Sequence, residues 1–131
     1  TLINQGRLIS PQEVFEELRK KDDELLEWAE TYKSMFKNLD ADQLEKVGNI
    51  LRRFPRLIDP QKTTPDADPF VIALAMCKER QRTFWDEHRI VVSEEKLAGP
   101  GARPKIPDVC KSYGVECISL TELFRKENWQ F

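Results

Sequence analysis

Four carboxylates stand at positions where they could do chemistry. Glu17 lies in "ISPQEVFEEL", roughly 60° from Val14 and 100° from Leu18 on a helical wheel, at the edge of an apolar face. Asp68 stands immediately before Pro69, at the head of the most apolar run of the chain, "PFVIALAMCK". Glu94 and Glu95 follow directly on "RIVVS". A helix edge, a buried helix start and a strand end are thus each supplied with an acid. Converging carboxylates repel one another, and a hard divalent cation relieves that repulsion. Oxygen-only donors match Mg²⁺ or Mn²⁺ rather than a soft metal. Such a site activates water and offsets charge on a phosphate during phosphodiester hydrolysis.

Each acid also has a plainer role. Glu17 can pair with Lys21 at i,i+4. Asp68 reads as the N-cap of the apolar helix, a role worth ~1 kcal/mol that leaves lone pairs for a metal. Asp66 is a turn former or a backup ligand, and Glu94 and Glu95 can be a solvated acidic loop.

The elements that must position these acids follow from pattern. "RLISPQEVFEEL" predicts a short strand or turn and then a helix, with Ser10 as N-cap, Pro11 at the first helical position and Glu13 completing a capping box. Helical spacing from Leu25 to Phe36 predicts a second helix ending near Lys37 and Asn38. A third begins at Asp40, points Leu44, Val47, Ile50 and Leu51 inward, and stops at Pro55. Residues 57–69 read as a loop, and Phe70 to about Lys78 as a buried helix. "RIVVS" (89–93) and "VECISL" (115–120) are short buried strands. Between them lie a loop over 94–105 and a helix over 106–114 that Gly114 closes. Ser119 and Glu122 form a capping box for the last helix, "LTELFRKE". Alternation of helix and strand means parallel βαβ units, hence a small α/β sandwich whose ligands sit beyond the carboxyl ends of its strands.

At 131 residues the chain has the size of one domain. A net charge of −2, with 34% charged residues, excludes a nucleic-acid-coating protein that works by positive excess. It leaves room for an enzyme that meets phosphates through metal ions. Cys77, Cys110 and Cys117 are odd in number and lack C-x-x-C spacing. That speaks against a disulfide framework or a structural zinc site and fits a reducing cytoplasm. His88, the single histidine, has no cysteine or histidine nearby and reads as a surface or hinge residue. No run reaches transmembrane length.

The segments "ISPQEVFEEL", "ADPFVIALA", "RIVVSEEK", "KIPDVCKSYGVECISLTEL" and "WQF" resemble the PIN-domain superfamily, in a PIN-like branch near the VapC-type toxins. The resemblance spans about residues 8–131. It implies a three-layer sandwich with a parallel sheet flanked by helices, and an acidic cluster binding Mg²⁺ or Mn²⁺ in an endoribonuclease. Carried over by position, Glu17, Asp68 and Glu95 are the expected catalytic metal ligands, with Ser93 as the strand-end hydroxyl. Glu95 is a glutamate where many relatives carry aspartate. Lys96, Arg103 and Lys105 flank the strand end as expected contacts for RNA phosphates, against a plain solvated loop. RNA as substrate, an antitoxin as partner and no membrane association follow from the same reading. The family's first strand, with its aspartate in a stretch like "DTN", has no counterpart here. The chain opens on Thr1, and the resemblance implies a single PIN-like domain over 1–131 lacking that strand, with an exposed edge that points to either a homo-oligomer or a larger parent protein. The rival reading is a PIN-like interaction or RNA-binding module without catalysis.

Overall fold

The computed structural model describes residues 2–3, 5–20, 24–58, 67–77 and 89–128. Lys21, Asp66, Lys78, His88 and the terminal Trp129, Gln130 and Phe131 lie outside the described residues, so the roles assigned to them above rest on sequence.

In chain order the elements are β1 (Ser10–Pro11), α1 (Gln12–Arg19), α2 (Glu24–Thr31), β2 (Phe36–Lys37), α3 (Ala41–Arg53), α4 (Asp68–Met76), β3 (Val91–Val92), α5 (Ile106–Tyr113), β4 (Cys117–Ile118) and α6 (Leu120–Lys126). Short 3-10 turns cover Lys33–Met35 and Pro55–Leu57. The fold is mixed α/β, and its strands form two separate parallel pairs. β1 pairs with β2 in the register Ser10–Phe36, and β3 pairs with β4 in the register Val91–Cys117. The parallel topology expected from helix–strand alternation is present in the second half as β3–α5–β4.

The main core is where α3, α4, α5 and the β3–β4 pair meet. Val47, Ile50, Leu57, Ile72, Ala73, Val91, Ile106, Val109 and Cys110 pack together there. α4 is apolar on every side. Ile72 and Ala73 are fully buried, and Phe70, Val71, Ala75 and Met76 pack partly buried against the same core. A helix of that composition is stable only when neighbours cover it all round. Gln43 is the buried polar side chain among the described residues, and it spends its amide on the Phe70 carbonyl at 3.3 Å, tying α3 to α4. A second, smaller core joins Phe15, Ala29 and Phe36, with the Phe15 and Phe36 rings edge to face at 5.2 Å.

Four local expectations change. Ser10 does not cap α1: it belongs to β1, Pro11 occupies the N-cap, and no side chain caps the helix. β-pairing with Phe36 holds Ser10 extended, so the box with Glu13 does not form. Phe36 and Lys37 are not the end of a helix but a strand, because α2 stops at Thr31 and the chain then turns to run parallel to β1. Leu44 is 54% exposed rather than inward, while Val47 and Ile50 are buried as expected. Asp68 is the first residue of α4, and Ala67 is the N-cap without a side-chain bond of its own. The remaining ends agree with the sequence: Asp40 caps α3 through the Gln43 N–H at 2.8 Å, Gly114 closes α5 in the left-handed region (φ 69°), and Ser119 and Glu122 make the box at α6.

Candidate functional site

α4 begins with Pro69 in its first turn, a residue whose fixed φ suits that turn and whose missing N–H costs nothing there. The N-cap, Ala67, has no side chain able to accept a hydrogen bond. The Glu17 carboxylate instead satisfies the N-cap's own amide from 50 residues away: its Oε1 accepts the Ala67 N–H at 2.9 Å, in a partly buried setting. Glu17 is therefore turned into the fold, not out to solvent, and its carboxylate sits one residue from Asp68. Negative charge at a helix N-terminus is favoured by the exposed amide dipoles. The other end of α4 is matched in the opposite sense, because the Arg89 guanidinium donates to the Leu74 carbonyl at 2.8 Å. A carboxylate at one end and a guanidinium at the other complement the dipole of this buried helix.

The strand-end acids are held the same way. Glu95 Oε2 accepts the Ile106 N–H at 3.0 Å, at the first residue of α5. Glu94 Oε1 accepts the Leu120 N–H at 2.7 Å, at the first residue of α6. The Ser93 hydroxyl accepts the Glu95 N–H at 3.1 Å and so fixes the turn that aims Glu95. Both glutamates are exposed. Asp108 completes the arrangement by accepting from Lys105 N–H at 2.9 Å and from Ala98 N–H, which pins the loop after β3 to α5. Lys96, Arg103 and Lys105 are exposed on that loop.

The structure thus brings Glu17 and Asp68 to one place, the start of α4, and puts Ser93, Glu94 and Glu95 at a second, the end of β3. Among the described residues no three His, Cys, Asp or Glu side chains form a group set to hold a metal ion. As donors, Glu17 and Asp68 fit a hard cation: both are carboxylates, and the second oxygen of Glu17 makes no hydrogen bond among the described residues. Glu95 is likewise left with one uncommitted oxygen.

Sequence reasoning missed the partners that organise these acids. Nothing in local spacing connects Glu17 with Ala67, Arg89 with Leu74 or Glu94 with Leu120, because each contact is made by tertiary packing. Only the location of Glu94 and Glu95, at the carboxyl end of a parallel strand, carried a signal.

The thiols are free, and burial, with the Glu122 and Glu95 carboxylates nearby, pushes Cys117 up. Burial, together with the neighbouring Cys117 thiol, pushes Cys110 up to about 12. Burial and the adjacent Asp42 carboxyl push Cys77, which follows α4, up to about 11. Both are neutral at physiological pH and poor nucleophiles. No helix among the described residues is long and apolar enough to cross a membrane.

No curated protein and no solved structure matches the chain. One family model, described as a domain of unknown function (DUF4411), matches residues 1–131. Its match runs the whole length of the chain, which belongs to the DUF4411 family.

Proposed function

We propose that the protein is a PIN-like, divalent-metal-dependent endoribonuclease that hydrolyses RNA phosphodiesters, with Glu17 and Asp68 at the start of α4 as the metal ligands, and with Glu95, at the separate end of β3, joining them on the family resemblance alone. The observation that carries the reading is the Glu17 carboxylate on the Ala67 N–H, which sets a second acid beside Asp68 at the start of a buried helix. Isolated surface acids would gain nothing from being drawn together there. When Mg²⁺ or Mn²⁺ is bound, it supplies a more acidic water and offsets phosphate charge. The chain's own residues do the rest. The Ala67 N–H orients Glu17, the Ser93 hydroxyl holds the Glu95 backbone, and exposed Lys96, Arg103 and Lys105 contact RNA phosphates. A cytoplasmic toxin role, with an antitoxin covering the cleft, belongs to the same reading.

A second reading is favoured by a specific observation. Glu17 and Glu95 each already hold a helix amide, and Glu94 does likewise. If helix anchoring is their whole task, the protein is a PIN-like interaction or RNA-binding module without catalysis. The test is cleavage of a labelled structured RNA with Mn²⁺, with chelator, and by Glu17→Gln and Asp68→Asn variants. The nuclease reading expects cleavage abolished by chelator and reduced at least about 100-fold in each variant. RNA retention without cleavage in the parent protein would select the module.

A further inference from the structure

The end of α3 carries cations that the acidic sites do not use. Between Glu45 and Asp59 the chain has Lys46, Arg52, Arg53 and Arg56 and no acid, in a protein whose net charge is −2. Lys46 pairs with Asp42 at 3.4 Å. Arg52, Arg53 and Arg56 are exposed, and among the described residues none of them makes an ion pair. Cations in the last turn of a helix answer its dipole, which accounts for Arg52 and Arg53 as charges. It does not account for Arg56, which lies beyond the helix, or for where the Arg53 guanidinium is placed.

That guanidinium lies over two rings at once, 5.5 Å from the Phe54 centroid and 5.2 Å from that of Tyr113. The two rings meet edge to face at 6.2 Å. Tyr113 is held further by its hydroxyl, which donates to the Asn49 carbonyl at 3.4 Å, while the Asn49 side chain accepts from Arg52. The ends of α3 and α5 thus meet in a platform: an exposed planar cation backed by two partly buried rings, with further guanidinium groups one residue before it and three after it in the chain. Ring contacts restrict the rotamers of a long side chain, so little ordering remains when a ligand arrives.

We propose that this platform binds single-stranded RNA, with a nucleobase stacked on Arg53 and the flanking phosphates on Arg52 and Arg56. A delocalised cation backed by rings stacks on the face of any base, and neighbouring guanidinium groups suit the phosphates on either side. In a duplex the base faces are covered, so the ligand is an unpaired strand. An acidic peptide matches the charge but offers Arg53 no flat face. The inference takes its ligand class from the RNA reading above and adds a contact region made of none of Glu17, Asp68, Glu95, Lys96, Arg103 and Lys105. It holds for the nuclease and for the module without catalysis alike.

The probe is a fluorescently labelled oligouridylate of about ten nucleotides, read by anisotropy with chelator present so that cleavage does not enter. Arg53→Ala should weaken binding about tenfold or more, and Arg53→Lys should recover little of it, because an ammonium keeps the charge and loses the plane. Arg52→Ala and Arg56→Ala should each lower the slope of log affinity against log salt by about 0.7. Arg19→Ala, which removes an exposed charge from α1, should leave affinity within about twofold. Full recovery in Arg53→Lys would reduce the platform to charge alone and overturn the proposal, as would parent-level binding by Arg53→Ala or no binding by the parent protein. Polyglutamate competing as well as the unlabelled oligonucleotide would give the surface to an acidic peptide and overturn the stated ligand. Mn²⁺-dependent cleavage is read separately: an Arg53 variant that binds and cuts RNA like the parent would leave the nuclease reading standing while this one falls.

Discussion

The start of α4 and the end of β3 use the same device under different conditions. At each, a glutamate from another element accepts the first free amide of a helix. At α4 the contact is partly buried and ties together residues 50 apart, and the helix it caps is enclosed by the core. At β3 the acids are exposed and cap helices 11 and 26 residues downstream. The difference is one of dielectric and of what surrounds the carboxylate. In the first setting the charge is poorly screened and an unmade bond leaves an orphaned amide. In the second, water and salt can replace either partner. The proposed cation at the start of α4 would add to that first setting, whereas the acids in the second need no more than a helix end.

Variants can break or sharpen that contrast. The largest effect belongs to the helix that both ends serve. Ile72→Ala, at a fully buried position in α4, should cost about 2–5 kcal/mol in chemical denaturation through cavity formation. Glu17→Ala should cost about 1–3 kcal/mol because the Ala67 N–H loses its acceptor, and Glu17→Gln should recover most of this since an amide oxygen still accepts. An equal loss in both would mean that charge, not the hydrogen bond, holds α4.

The alkaline limb adds a further check. Cys110 is raised from an ordinary 9.0 to about 12, so the unfolded chain ionises first as pH rises. Its contribution is intact below pH 9 and is lost progressively between 9 and 12, amounting to about 1 kcal/mol at pH 10. Cys110→Ala should flatten that slope in a pH series of melting curves. Smallest of all, Glu95→Ala and Glu94→Ala should each cost about 0.5 kcal/mol, shrinking in high salt. A Glu95 variant as costly as Glu17→Ala would erase the distinction between the two regions.

What the sequence revealed depended on range. Ser119 with Glu122, Asp40 with Gln43, and Gly114 are contacts within one helical turn, and pattern alone located them. Val91–Val92 and Cys117–Ile118 fell inside the expected β-branched and apolar runs. The failures are equally instructive. Ser10 has the composition of a cap, yet pairing with Phe36 outweighs a bond worth ~1 kcal/mol. Phe36 and Lys37 continue a helical spacing, but the chain leaves the helix to make that pair. Asp68 looked like the cap of α4, and its neighbour Ala67 takes the position because Glu17 arrives from α1 to satisfy the amide. Residue type and placement marked Glu17 as an acid set to face inward but passed over Glu13, whose Oε2 is also buried, and the partner of Glu17 was decided by packing that no local window contains.

The central claim is that the acids at the start of α4 hold a divalent cation as well as a helix. Isothermal calorimetry of Mn²⁺ binding, on the parent protein and on Asp68→Asn confirmed as folded by circular dichroism, tests it most directly. The account predicts saturable heat in the parent and its loss in the variant at nearly unchanged melting temperature. Heat that persists in Asp68→Asn, or none in the folded parent, would contradict it and leave these carboxylates as helix anchors.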